Sequence, residues 1–429
     1  MTRYVIREGA TLLVDGPAFV TILGGRVEIL GVRLKTEGQV VVQTGRRIPI
    51  SALRRSVLDV RLGDGGAVKE VETNVVPSSW MDVAEKVLGD AKPIRVMVIG
   101  GVDSGKTSFC TYLANRLASA GLKVGVIDAD LGQSDVGPPT TIGLGLVSSP
   151  IVDLSKAEVV DAFLVGTTSP GRSVEQVLCG VEAMVKRAGE MKVDALIINT
   201  DGWVEGKEAA EYKRRLVEVA KPDLIVGMQR EGELEDVLGG LGGWRVVQVE
   251  VPPTVKRRNR ENRRLMRELS YRRYLEGARI QSYPISWVEL RGNIPDVGSP
   301  ASEERVKLVT GILGFTPLHC EETPRCMLLV LGKGQEVSEE RLRALEDALG
   351  KEVRVMREGE ERGALVSLHG DDGRFLGIGV LRGIDFRRRV LRIYTPVEGK
   401  VSVICVGCVR LDEDGREIGF VEEPAKPQP

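Results

Sequence analysis

At 429 residues the chain is too long for one ordinary hydrophobic core, so two or three domains are expected. A formal net charge of −1 gives no global case for a polyanionic partner, so any such site has to be local; 42% hydrophobic and 28% charged residues describe a globular protein rather than a membrane or disordered one. The amino terminus, Met1-Thr2-Arg3-Tyr4, carries no signal-peptide hydrophobic region, which places the protein in the cytoplasm, and six scattered cysteines do not make the framework of a secreted disulfide fold.

From Thr11 to Leu62 short alternating apolar segments (Ala18 to Leu23, Val27 to Leu30, Val40 to Gln43) are broken by glycine turns, which predicts an all-β domain over residues 1–92. After Pro77 a short helix is expected to reach Leu88, with Ser79 as its cap. Residues 93–290 then alternate strand and helix, the pattern of a parallel sheet with helices on both faces. The expected strands are Val96 to Ile99, Lys123 to Asp128, Ala157 to Val165, Asp194 to Asn199, Asp223 to Met228 and Arg245 to Val251. The expected helices are Lys106 to Ala120, Ser173 to Arg187, Lys207 to Ala220 and a long basic one beginning near Arg258. A third, β-rich domain follows over residues 291–429, with one helix at Ser338 to Leu349 and a Pro-containing tail. Cys405-Val406-Gly407-Cys408 has metal-ligand spacing but falls in a strand-like run, where an i, i+3 pair points to opposite faces; core cysteines are the simpler reading.

The strongest chemical signal is Gly100-Gly101-Val102-Asp103-Ser104-Gly105-Lys106-Thr107, followed by Ser108, between a buried strand and a helix. This is the spacing and context of a phosphate-binding P-loop: backbone N–H groups cradle a triphosphate, Lys106 reaches the β and γ phosphates, and Thr107 holds magnesium. The next strand ends in Asp128-Ala129-Asp130-Leu131-Gly132-Gln133. There Asp130 is placed to bind the metal or accept a hydroxyl proton, and Gln133 to orient the metal shell; solvated acids in a strand-end turn are the plain alternative. Gly166-Thr167-Thr168-Ser169-Pro170-Gly171 gives a helix start, with Ser169 as cap, that also suits a second phosphate. Asn199-Thr200-Asp201-Gly202-Trp203 puts an indole at a strand's carboxyl end, where it either stacks on a base or anchors the core. The same stretch lacks the Asn-Lys-x-Asp pattern of a guanine-reading site. From Lys256 to Arg273 there are nine basic residues against two acids, Glu261 and Glu268. Such a helix is either a solvated face or a lid whose arginines neutralise a transferring phosphoryl group.

In this order the five motifs resemble the polynucleotide 5′-hydroxyl-kinase family, which includes the kinase subunit of the pre-mRNA cleavage complex and the ribosomal-RNA-processing kinases. The stretch Leu381-Arg382-Gly383-Ile384-Asp385 is more similar to the archaeal and ribosomal-RNA-processing branch. The resemblance implies a central P-loop kinase domain between β-rich flanking domains, ATP and magnesium as cofactors, and a 5′-hydroxyl RNA end, with DNA as a further acceptor. It implies that Lys106 polarises the γ-phosphate and that Asp130 activates the hydroxyl. Thr168 and Ser169 clasp the first phosphodiester, Trp203 stacks on the terminal base, and Arg258 and Arg263 serve as lid arginines within residues 254–276, with Arg260 and Arg264 competing for that register. The rival expectations are an ATP-binding scaffold without transfer activity and an assembly ATPase.

Overall fold

The computed structural model describes residues 1–256, 258–294 and 298–420. The expected Pro-containing tail lies outside the described residues. The chain divides into two compact units, Met1–Ser270 and Tyr271–Pro429.

The first unit holds two sheets. In the amino-terminal one, the long strand Arg47–Leu62 pairs antiparallel with Thr2–Ile6, Thr11–Asp15 and Ala18–Ile29, and Val32–Lys35, Gln39–Val42 and Ala67–Val71 complete seven strands. Alternation explains its core: Ala18, Val20 and Ile22 are buried while Phe19 and Thr21 between them are partly exposed. The turn Gly45-Arg46 points the start of the long strand toward the second sheet's cavity, which both Arg46 and Arg47 line.

Helix Ser78–Gly89 joins the two sheets, with Trp80, Val83, Ala84 and Val87 on its buried face at helical spacing. Its cap is Pro77, not Ser79; Ser79 lies in the first turn, where its Oγ instead accepts from the backbone N–H of Glu250 at 3.1 Å. Trp80 meets Phe109 edge-on at 5.3 Å and donates its Nε1–H to Glu250 O at 3.0 Å.

The second sheet runs Glu158–Leu164, Thr141–Val147, Val124–Asp128, Ala195–Asn199, Ile94–Gly100, Leu224–Met228 and Val246–Val249 across its width. The last five are parallel, and the first two form an antiparallel extension on one edge. The expected parallel sheet with helices on both faces is therefore present, widened by a strand, Thr141–Val147, that the sequence reading left out. Val96 and Val98 face the core formed with helices Ser78–Gly89 and Lys106–Ser119, while Met97 and Ile99 face the core formed with Val174–Glu190 and Lys207–Ala220. A strand buried on both faces must be apolar throughout, as Ile94 to Ile99 nearly is. Because the P-loop strand lies between Ala195–Asn199 and Leu224–Met228, its carboxyl end opens into the crevice where parallel sheets bind ligands.

The second unit contains a seven-stranded sheet built on Ala364–His369, Phe375–Asp385, Val390–Thr395 and Val403–Leu411. It also has a four-stranded sheet centred on Cys326–Leu331, whose core includes residues of helices Glu303–Leu313 and Glu339–Leu349. Ser302 and Ser338 cap these helices. Cys405 and Cys408 lie in one strand, and among the described residues no cluster of three or more metal-ligand side chains forms. None of the described helices is long and apolar enough to cross a membrane.

Candidate active site

The P-loop turns through two left-handed residues, Asp103 (φ 54°) and Gly105 (φ 94°), before helix Lys106–Ser119 begins. Gly202, from the neighbouring strand end, approaches so closely that a Cβ there would lie 2.8 Å from Val102 Cα, so only glycine fits against the loop. Lys106 Nζ donates to Gly100 O at 2.9 Å and Gly101 O at 2.8 Å. Burial pulls its pKa below the ordinary lysine value, an effect opposed by Asp130 and Asp201. Ser104 Oγ is buried without a hydrogen-bond partner. An orphaned hydroxyl in a glycine-containing loop that opens a helix fits a phosphate-bearing ligand. Residues 102–108 line a cavity of about 930 Å³, while Gly100 closes the strand behind them.

Two aspartates occupy the end of strand Val124–Asp128, and neither is simply solvated. Asp128 is fully buried. Its Oδ2 accepts from the N–H groups of Asp135 (2.6 Å) and Val136 (3.2 Å), and its Oδ1 accepts from Asp130 N (3.2 Å) and Asn199 Nδ2 (2.9 Å). Burial, with Asp135 and Asp130 nearby, pushes its pKa up to about 7. The same Asn199 amide lies 3.4 Å from Thr107 Oγ1, so it links the strand-end acid to the expected metal-binding hydroxyl. Asp130 lines the cavity and accepts from Gly132 N and Gln133 N at 3.1 and 3.0 Å through Oδ1. Burial raises its pKa, and Lys106 is the main opposing charge. Gln133 faces the lid rather than standing alone: its Nε2 donates to Gly132 O (2.6 Å) and to Arg263 O (3.1 Å).

Thr168, Ser169 and Trp203 line the same cavity. Ser169 precedes a 3-10 turn, Pro170–Arg172, and makes no side-chain cap bond; the following α-helix starts at Val174. Trp203 stacks on Tyr212 with ring centroids 5.5 Å apart. The basic helix expected as a lid spans Arg260–Tyr274. Before it, Arg258 N–H donates to Asp103 Oδ2 at 2.9 Å, and from within it Arg263 Nη2 donates to the same oxygen at 2.9 Å. Arg258 Nε is buried with no partner, and burial together with Arg46 lowers its pKa. Arg264 instead pairs with Glu268 four residues on and does not line the cavity, whereas Arg260 does.

Sequence reasoning missed Asn199 as a link, Asp103 as the lid's partner, and Arg46, which pairs with Asp135 from the other sheet. It also missed Asp201 and Lys213, a buried ion pair at 2.9 Å. Lys213 left a signal. It falls in the apolar register Ala209, Tyr212, Leu216, Val217, Ala220 of its helix, where a charge needs a buried partner.

Residues 100–277 match the family described as mRNA cleavage and polyadenylation factor CLP1 P-loop. A polyribonucleotide 5′-hydroxyl-kinase of Thermococcus kodakarensis is 33% identical over 357 residues, which span 81% of this chain and 97% of that protein. The chain belongs to the polyribonucleotide 5′-hydroxyl-kinase family. A second member, from Pyrococcus furiosus, is 30% identical over 82% of this chain and 97% of its own length. The solved Clp1p–Pcf11p complex contains a chain with the same fold: TM-score 0.66 at 15% identity, covering 95% of this chain and 97% of that one.

Proposed function

We propose that this protein transfers the γ-phosphoryl group of ATP to the 5′-hydroxyl end of RNA, with DNA as a further acceptor. The observation that carries the reading is a single cavity lined by a P-loop, Asp130 just past a strand end, the Thr168–Gly171 turn, an indole and four arginines, Arg258, Arg260, Arg263 and Arg267. The P-loop N–H groups and Lys106 bind the triphosphate. Thr107 and Asp130, on either side of that cradle, have the hard oxygen donors that suit magnesium. The metal, when bound, would neutralise charge on the phosphates. Asp130 takes the proton from the acceptor's 5′-hydroxyl as that oxygen bonds to the γ-phosphorus. The bond from phosphorus to the β–γ bridging oxygen breaks, and ADP leaves. Thr168 and Ser169 hold the acceptor's first phosphodiester, Trp203 stacks on its terminal base, and Arg258 with Arg263 faces the transferring group.

The test is transfer of label from γ-labelled ATP to 5′-hydroxyl RNA and DNA oligonucleotides with magnesium present. Labelled oligonucleotide is the expected product. Release of free phosphate with no labelled oligonucleotide would move the protein to an ATPase, and neither product would leave only a nucleotide-binding scaffold.

A further inference from the structure

We infer that Tyr212, held by the buried Asp201–Lys213 pair, is a positioning residue that fixes the indole of Trp203 for the acceptor's terminal base. This inference rests on the proposed stacking role of Trp203. Asp201 is the hub. Its Oδ1 accepts the backbone N–H of Trp203 at 2.9 Å, and its Oδ2 accepts the Tyr212 hydroxyl at 2.7 Å and the Lys213 ammonium at 2.9 Å. Lys213 Nζ also donates to the Asp201 carbonyl at 3.1 Å, which ties the strand end to the helix a second time. All three side chains are buried: relative exposures are 4% for Asp201, 2% for Tyr212 and 0% for Lys213.

The consequence for Trp203 is geometric. The Tyr212 ring lies against the indole at 5.5 Å with a 23° interplanar angle, and the Lys213 ammonium sits 4.9 Å from the phenol ring centroid on the same network. The indole is therefore held through its own backbone N–H and through its stacking partner, and both lead to one carboxylate. Burial and the adjacent Asp201 keep the phenol protonated, so it remains a donor. A buried ion pair adds little net stability compared with apolar residues of the same volume, so its use in a core register is better explained by what it orients. A platform fixed before binding spares the ordering cost that a mobile indole would incur when a base arrives.

The experiment compares wild type with Tyr212→Leu and Tyr212→Phe on two RNA acceptors, one intact and one with an abasic 5′-terminal nucleotide, measuring KM for acceptor and for ATP. In wild type the abasic end should raise the acceptor KM about 10-fold, in line with the worth of base–aromatic stacking. In Tyr212→Leu the intact acceptor's KM should rise toward the abasic value, so that the ratio between the two acceptors collapses while the KM for ATP is unchanged. Tyr212→Phe, which keeps the ring and loses the tie to Asp201, should give an intermediate ratio. No discrimination by wild type would defeat the stacking reading of Trp203 itself. Discrimination by wild type that persists undiminished in both variants would defeat the positioning role alone. Should thermal melts show Tyr212→Leu to be unfolded, Tyr212→Phe decides by the same ratio, since it removes one hydroxyl from an intact core.

Discussion

Lys106 and Asp130 are the two residues on which transfer should depend most, and they do different work. Lys106 donates to two loop carbonyls, which holds its ammonium at the P-loop in the cavity it lines. Lys106→Met should lower transfer by about two to three orders of magnitude, the usual cost of removing a preorganised charged donor. It should melt near wild type, because the change removes a charge that burial disfavours. Asp130→Asn should abolish proton acceptance while keeping the turn, since an amide oxygen still accepts from Gly132 and Gln133. A variant that retained transfer would remove Asp130 from the reaction. The pH dependence follows from the same group. Burial lifts its pKa above the ordinary 3.8, and the active form is the ionised one, so the rate should fall as pH drops through a value higher than 3.8. Single-turnover transfer measured across pH locates that limb; a rate that holds down to the ordinary carboxylate value argues for another base. That these two residues come together in one cavity was legible from spacing alone. What spacing did not reveal is that Asp128 is shut away by Asn199 and by the backbone N–H groups of Asp135 and Val136 as well as its neighbour Asp130, because the first three partners lie 7 to 71 residues away.

The lid is the element whose position sequence left most open. Its charge run announced a helix, and the helix is there, but which arginines turn inward depends on where the first turn starts. That start is fixed by Asn259, whose Oδ1 accepts from Asn262 N at 2.8 Å, and by Asp103, which holds Arg258 and Arg263 on one oxygen. Thr141–Val147 was illegible for a related reason. Its run Thr-Ile-Gly-Leu-Gly-Leu-Val alternates apolar residues with glycines, and glycine inside a run weakens it as a strand signal, so only pairing with strands on both sides defines it. The Asp103 latch is directly testable. Asp103→Asn keeps a residue that tolerates the left-handed backbone but loses the charge that attracts Arg263. In the ATP-free protein, hydrogen exchange at the Arg258 amide should quicken, while amides from Leu265 onward keep their helical protection. Unchanged exchange at Arg258 would show that the lid is held by something else.

At the scale of the whole first unit, the β-rich sheet and the P-loop sheet are joined by charge as well as by apolar packing. The three-part pattern of β-rich, alternating and again β-rich sequence was readable from turns and periodicity, but the join was not. Arg46 sits in an unremarkable glycine turn, 89 residues from the acid it pairs with. Its guanidinium bonds Asp135, whose side chain is 2% exposed, and its Nε lies 3.9 Å from Asp153 Oδ2. Asp135 in turn donates its backbone N–H to buried Asp128, so three acids gather around one arginine. Breaking one side of such a pair is costly because the remaining charge stays buried. Arg46→Met should destabilise the protein by about 3–5 kcal/mol, and Asp135→Leu added to it should restore much of that loss, since no lone carboxylate then remains at that point. Denaturant unfolding of wild type, both single variants and the double variant measures the coupling. If the two losses simply add, the sheets are held by apolar contact and Arg46 is a passenger. If they couple, the same arginine that lines the cavity also joins the sheets, and ATP-dependent stabilisation should be weaker in Arg46→Met than in wild type.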